Sequence, residues 1–186
     1  VQELGGGVCQ VSTTLYNAIF GAGLTTTYRR SHTFEPSYVT PGLDATVSFN
    51  GVDYRFINDS DYSIGIRASY GRKKCKVEIF SVPKLEKGQR QYLTAKKIED
   101  LGYPDISIID SGTPTKGTKG SEWQVFKVIK DGDKEIERIF DHSAKYVGHA
   151  PTAYEVDTYI DDEGKIQTSK FTGKIPQGAR VATKAS

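Results

Sequence analysis

The sequence contains no methionine, and its 186 residues include only two cysteines, one tryptophan and three histidines. Because methionine is missing even at position 1, we expect a fragment, a processed product or an excised segment, so the missing export signal or anchor proves nothing. No apolar run is long enough to span a bilayer. Cys9 and Cys75 are too few for a disulfide framework, although they could pair with each other.

The charges and the metal-binding residue types exclude several classes of function. A net charge of +2 does not favour nucleic acid as a partner, although it allows weak attraction to an anionic cell wall. The cysteines and histidines lack the spacing typical of a zinc site, so we expect neither a metal nor a cofactor. A hydrophobic content of 37% can supply a core for one ordinary domain or two small ones.

The stretch LGGGVCQVSTTLYNAIFGA, residues 4–22, sets three glycines and Cys9 directly before a predicted helix. Its apolar residues recur at helical spacing from Val11 onward, so Cys9 falls at or near the helix N-terminus. There the unpaired N–H groups and the helix dipole favour a thiolate and lower the thiol pKa. The glycines leave room for a ligand at Cys9. The alternative is an inert cysteine packed in a core.

A cysteine nucleophile also needs a base that a third group holds in place. His32 lies in the loop RRSHTFEPSYV, with Glu35 and Asp44 as possible orienting carboxylates. The N–H groups of Cys9 and Gln10, with the Gln10 amide, could face an oxyanion. His142 and His149 are expected in a second module. The candidate substrate-binding residues are Gly7, Arg29, Arg30 and Tyr38, and the arginines suit a carboxylate.

Turn signals after the helix predict an α+β fold, in which one helix packs on an antiparallel β meander and a small extended all-β module follows. Predicted hairpins flank Asn50-Gly51, Gly71-Arg72, Asp131-Gly132-Asp133 and Asp162-Glu163-Gly164. Cys75 should point into a core. We expect a first domain at 1–81, a linker at 82–105 with a helical patch near Leu93 to Leu101, a module at 106–175 anchored by Trp123 and Phe140, and a tail at 176–186.

The blocks LGGGVCQVSTTLYNA, SYVTPGLDATV and FINDSDY, with a histidine between the first two, resemble the VanW domain family of bacterial cell-envelope proteins. The resemblance covers about Leu4 to Phe80. It implies Cys9 as nucleophile, His32 as candidate base and Asp44 as candidate orienter. Family members usually carry further sequence before the glycine block. The segment from about Ile106 to Val156 resembles the five-glycine all-β module of Gram-positive surface proteins.

The resemblance implies a protein that acts on peptidoglycan. We expect it outside the cell, in the wall or anchored on the outer face of the cell membrane, in a bacterium of Gram-positive type. The family is named for glycopeptide-resistance clusters, and some of its members look like L,D-transpeptidases. The leading hypothesis is therefore L,D-transpeptidase-like acyl transfer between stem peptides through a Cys9 thioester. A non-catalytic wall-binding module is the first alternative. A thiol hydrolase that cleaves stem peptides is the second.

Overall fold

The computed structural model describes residues 6–49, 51–109, 112–155, 158–160, 166–168 and 181–182. These ranges contain one helix and mostly antiparallel strands in small sheets, which confirms the predicted α+β class. The chain forms two compact units. The first comprises Val1–Glu99 and Glu122–Tyr146, and the second comprises Asp100–Ser121 and Val147–Ser186. The predicted domain boundaries stay predictions.

Helix α1 spans Val8–Gly21 and begins directly after the glycine block, so it includes Cys9, which was expected at or just before its N-terminus. Gly7 is the N-cap in a left-handed conformation with φ of 90°, and its carbonyl oxygen accepts the first helical bond from the N–H of Val11 at 3.1 Å. Glycine adopts this conformation without the steric cost that a Cβ would add. Cys9 is therefore the second residue of the helix. The buried face of α1 carries Tyr16 and Ile19.

Strands β1 (Thr25–Tyr28) and β2 (Arg55–Ile57) pair antiparallel, with Thr25 opposite Ile57. The predicted hairpin between 46–49 and 52–56 is therefore wrong. The segment 46–49 is not a strand: Thr46 donates to the carbonyl oxygen of Arg30 at 2.9 Å, and the bond from Ser48 to the carbonyl oxygen of Val52 at 2.8 Å closes a turn without a strand pair. Asn50 lies outside the described residues.

Strands β3 (Gly65–Gly71) and β4 (Lys74–Phe80) form the next predicted hairpin, with Gly65 opposite Phe80. Its turn lies one residue later than predicted, at Arg72 and Lys73, both of which have positive φ. Helix α1 contacts β4. Cys75 is half-buried on β4, and both Cys75 and Cys9 are free thiols, so the pairing left open by the sequence is not present.

Strands β5 (Gln89–Gly102), β7 (Gly120–Asp131) and β8 (Lys134–Tyr146) form a three-stranded sheet in the order β5-β7-β8. The helical patch predicted near Leu93 to Leu101 is wrong, since these residues belong to β5. Pairing with β7 outweighs a weak local helix preference. The hairpin around Asp131-Gly132-Asp133 is confirmed, with Gly132 at a φ of 54°.

The core of the first unit joins the helix to this sheet, through Tyr16, Ala45, Leu93 and Val125. Phe140, which was expected to anchor the module at 106–175, is 52% exposed and lies on β8 of the first unit. Its ring meets Phe126 edge to face on the sheet surface, at 6.0 Å between centroids.

In the second unit, β9 (Thr152–Glu155) lies between β6 (Ser107–Ile108) and β12 (Val181–Ala182) and runs parallel to both. Strands β10 (Thr158–Ile160) and β11 (Ile166–Thr168) pair antiparallel as the last predicted hairpin requires, although its turn at 162–164 lies outside the described residues. Of the predicted tail, the structure describes Val181 and Ala182, which form β12. Nowhere in the described ranges does a helix have the length and apolar character needed to cross a membrane.

Candidate active site

A buried carboxylate connects the start of α1 to the loop that follows β1. Asp44 is fully buried, and its Oδ2 accepts hydrogen bonds from Nδ1 of His32 at 2.7 Å and from the backbone N–H of His32 at 2.6 Å. Of the two carboxylates considered from the sequence, Asp44 therefore orients His32. Glu35 instead accepts from Nε1 of Trp123 at 3.0 Å.

The second oxygen of Asp44 is also occupied. Its Oδ1 accepts from the hydroxyl of Tyr146 and, at 3.4 Å, from the guanidinium of Arg29. Burial alone would raise the pKa of Asp44, but the hydrogen bonds from Tyr146 and His32 and the positive charge of Arg29 hold that pKa below its ordinary value. Asp44 is thus a carboxylate at neutral pH, and each of its oxygens has donors.

The carboxylate fixes the tautomer of His32. Because Asp44 only accepts, Nδ1 of His32 carries a proton, which leaves Nε2 as the ring nitrogen that can take up and give a proton. The hydroxyl of Tyr38 lies 3.4 Å from this Nε2 and 3.5 Å from the hydroxyl of Thr13. The ring of His32 also meets that of Tyr38 edge to face. His32 therefore presents a basic nitrogen on the side away from Asp44.

The thiol of Cys9 lies within the reach of that imidazole. Burial raises its pKa, but hydrogen bonds from Thr46 and from His32, with the positive charge of His32, outweigh burial and lower the pKa of Cys9. Sγ is 3.5 Å from the Thr46 hydroxyl, and as a thiol it donates to the carbonyl oxygen of Val47 at 3.3 Å. Cys9, His32 and Asp44 thus lie together in the arrangement that a nucleophile, a base and an orienting carboxylate would need.

Helix α1 supplies donors beside the sulfur. The first helical bond starts at Val11, so the N–H groups of Val8, Cys9 and Gln10 precede it and have no helical carbonyl to bind. Among the described residues, none would lie within 4 Å of a Cβ built on Gly7. The Gln10 backbone oxygen accepts from the hydroxyl of Thr14 at 2.7 Å. The sequence assigned Gln10 to an oxyanion site, and its N–H has the position for that role.

The two candidate substrate arginines differ in their environments. The guanidinium of Arg29 is 11% exposed and donates to the backbone oxygen of Asp44 at 2.6 Å, to that of Gly42 at 2.9 Å and to the hydroxyl of Ser31 at 2.9 Å. With its donors so occupied, Arg29 holds the loop together rather than offering a carboxylate site. Arg30 is exposed, and Tyr38 is 41% exposed beside His32. Both remain candidates for substrate contact.

Sequence reasoning missed two residues of the site and misplaced a third. Thr46 and Tyr146 lie 37 and 102 positions from the residues they bond, and no local pattern connects them. His142, expected in the second module, lies in the first unit with Nε2 2.8 Å from Nη1 of Arg29. His149 lies in the second unit, where its N–H donates to Thr118. The sequence around His142 and Tyr146 in β8 gave no signal that these side chains contact Arg29 and Asp44.

The arrangement suits covalent catalysis by a thiolate. A cysteine of lowered pKa, an imidazole with one nitrogen fixed by a buried carboxylate, and helix N–H groups beside the sulfur are the parts that acyl transfer uses. Across the described ranges, no group of three His, Cys, Asp or Glu side chains has the geometry to hold a metal ion.

The segment that contains this site resembles a known sequence family. Residues 1–80 match the family model described as VanW like protein. They include the whole Cys9–His32–Asp44 arrangement and support a cell-wall related role. The match ends before β5, so strand β8 and Tyr146 lie outside it.

A curated relative also matches part of the chain. The uncharacterized protein YoaR of Bacillus subtilis (strain 168) is 55% identical over 71 residues, which are 38% of this chain and 23% of YoaR. The chain thus matches about a quarter of the length of this relative. No solved structure matches the chain.

Proposed function

We propose that the VanW-like region, residues 1–80 with its supporting strands, transfers acyl groups between peptidoglycan stem peptides through a thioester on Cys9. The observation that carries this proposal is the Cys9–His32–Asp44 arrangement, in which the pKa of the sulfur is lowered and the imidazole is fixed by a buried carboxylate. The VanW match supports the cell-wall setting. The site of action would be the outer face or wall of a bacterium of Gram-positive type.

In the first half-reaction, the Cys9 thiolate attacks the carbonyl carbon of the L-centre that precedes a terminal D-residue. A C–S bond forms and the amide C–N bond breaks, while His32 gives the departing amine the proton that its Nε2 has taken from the Cys9 thiol. The terminal D-residue leaves as a free amino acid. The N–H groups of Cys9 and Gln10 hold the oxyanion of the tetrahedral intermediate.

In the second half-reaction, a side-chain amine of a neighbouring stem peptide attacks the thioester. His32 takes the proton that the amine loses, a new amide bond forms, and the C–S bond breaks to restore the thiolate. Arg30 and Tyr38, exposed near His32, are positioned to contact the donor stem, and a guanidinium would suit its terminal carboxylate.

The test is product analysis of muropeptides incubated with the wild-type chain, with Cys9→Ala and with the matched control Cys75→Ala. Cross-linked dimers should form with wild type and C75A and be absent with C9A, because Cys75 lies on β4 away from His32. Dimers formed by folded C9A would contradict the proposal. Shortened monomers without dimers would favour the hydrolase, and binding without any new product would favour the wall-binding module.

A further inference from the structure

We propose that Tyr146 of strand β8 is a positioning residue that fixes Asp44 for the Cys9–His32 pair. The reaction that it serves rests on the proposed function, but its effect on Cys9 can be measured without any peptidoglycan. Tyr146 lies outside the segment that matches the VanW-like family. The working unit of the site would then extend from residues 1–80 to the β7–β8 hairpin.

The contact is buried on both sides. Tyr146 and Asp44 are each 0% exposed. The Tyr146 hydroxyl donates to Oδ1 of Asp44 and accepts from the backbone N–H of Gly42. One hydroxyl therefore holds both the carboxylate and the backbone of the loop that carries it. Because water does not reach this pair, no solvent molecule can replace the hydroxyl.

The bond to Oδ1 sets the direction of Oδ2. A carboxylate bonded only through Oδ2 could rotate about its Cβ–Cγ bond, and His32 would turn with it. With Oδ1 held by Tyr146, Oδ2 stays on the two N–H groups of His32, at 2.6 and 2.7 Å. The ring plane of His32, and so the direction of its Nε2, depends on this arrangement.

Two further contacts fix the loop to the same sheet. Gly42 has a φ of 94°, and a Cβ placed there would lie 2.5 Å from Cγ2 of Val125 on β7, so the loop backbone lies directly on the sheet. His142 of β8 has Nε2 2.8 Å from Nη1 of Arg29. The titratable and charged groups that act on Asp44 or respond to its charge are Arg29, His32, Tyr146, Tyr16 and Tyr38.

The experiment compares the rate at which iodoacetamide alkylates Cys9, as a function of pH, in the protein with and without Tyr146→Phe. All variants carry C75A, so that Cys9 is the cysteine that reacts. A hydrogen bond to an ionised group is worth about one to two orders of magnitude in an equilibrium constant. We therefore expect Y146F to lower the alkylation rate at mildly acidic pH about tenfold and to move the midpoint of the profile upward. The same substitution should have little effect in an Asp44→Asn background, since Tyr146 acts through Asp44.

Val128→Ala is the matched control, because Val128 is fully buried on β7 and its apolar side chain offers Asp44 neither a hydrogen bond nor a charge. It should destabilise the sheet and leave the alkylation profile unchanged. An unchanged profile in folded Y146F, an equal shift in V128A, or an undiminished effect in D44N would overturn the inference. If Y146F does not fold, proton NMR of the wild type decides: a slowly exchanging Tyr146 hydroxyl proton that disappears in D44N is expected, and a rapidly exchanging one would contradict it.

Failure of this inference is distinguishable from failure of the proposed function. A shifted alkylation profile in Y146F together with wild-type protein that makes no dimers would support the positioning role and reject the transferase. An unchanged alkylation profile in Y146F together with dimer formation by wild type would reject the positioning role and support the transferase.

Discussion

Replacing Asp44 by Asn should unfold the first unit more readily and do so in a pH-dependent way. The substitution keeps the shape of the side chain but removes its charge and turns one acceptor oxygen into an NH2 donor. In wild type, Oδ2 accepts two bonds from His32 and Oδ1 accepts from Tyr146 and Arg29. Whichever way the amide turns, two donors then face its NH2 group.

The magnitude follows from burial. Asp44 is 0% exposed, so water cannot serve the donors that lose their acceptor. Each buried group left without a partner costs about 1–3 kcal/mol, and breaking a buried ion pair by removing one charge costs about 3–5 kcal/mol. We expect D44N to lower the free energy of unfolding at pH 7 by about 3–5 kcal/mol.

The pH dependence has a defined sign. The pKa of Asp44 in the folded protein lies below its ordinary value of 3.8, because hydrogen bonds from Tyr146 and His32 and the charge of Arg29 outweigh the opposing effect of burial. Stability from this carboxylate is therefore fully present above the unfolded pKa and is lost as the pH falls through the folded one. Asn does not titrate, so the difference between wild type and D44N should narrow below about pH 4.

Urea unfolding of both proteins at neutral and acidic pH measures this difference. Glu35→Gln is a suitable control, because Glu35 is exposed and does not bond His32. A loss below about 1 kcal/mol in D44N at pH 7 would show that the network contributes no more than a surface pair. A loss that stays constant down to acidic pH would refute the assigned pKa.

Two further predictions concern single contacts of the site and its loop. Thr46→Val removes the hydroxyl that lies 3.5 Å from Cys9 Sγ, so the thiol pKa should rise and alkylation at mildly acidic pH should slow about fivefold. Thr46→Ser should restore the rate. An unchanged rate in Thr46→Val would contradict a role of this contact. Gly42→Ala places a Cβ 2.5 Å from Val125 at a φ of 94° and should lower the free energy of unfolding in urea by more than about 2 kcal/mol. Gly7→Ala has a similar φ of 90°, but none of the described residues lies within 4 Å of its Cβ, so it should lower the free energy by about 1 kcal/mol. Equal losses would contradict the packing argument.

Local sequence signals predicted the parts of the fold that local chemistry determines. The glycine block before Val8 predicted the helix start, since Gly7 takes a conformation that few other residues accept. The Asp-Gly turn at 131–133 predicted the β7–β8 hairpin. His32 and Asp44 were candidates because they share one loop with little regular structure and lie twelve residues apart.

Long-range pairing accounts for what local signals missed. Strand β2 pairs with β1 across about 30 residues rather than with the preceding segment 46–49. In that segment Thr46 bonds to Arg30, and the bond from Ser48 to Val52 closes only a turn. The segment around Leu93 has spacing compatible with a helix, but Leu93 is buried in the core between α1 and β7. Tyr146 reaches Asp44 across 102 positions, and a tyrosine ending a strand carries no mark of such a contact.

The central claim is that Cys9 carries the acyl group, and intact mass spectrometry of the chain incubated with a stem-peptide muropeptide tests it most directly. We expect a covalent adduct on Cys9 with the mass of the donor less its terminal D-residue, released by an added amine and absent in C9A. A wild-type chain that keeps Cys9 as a free thiol throughout, with no terminal D-residue released, would contradict the account.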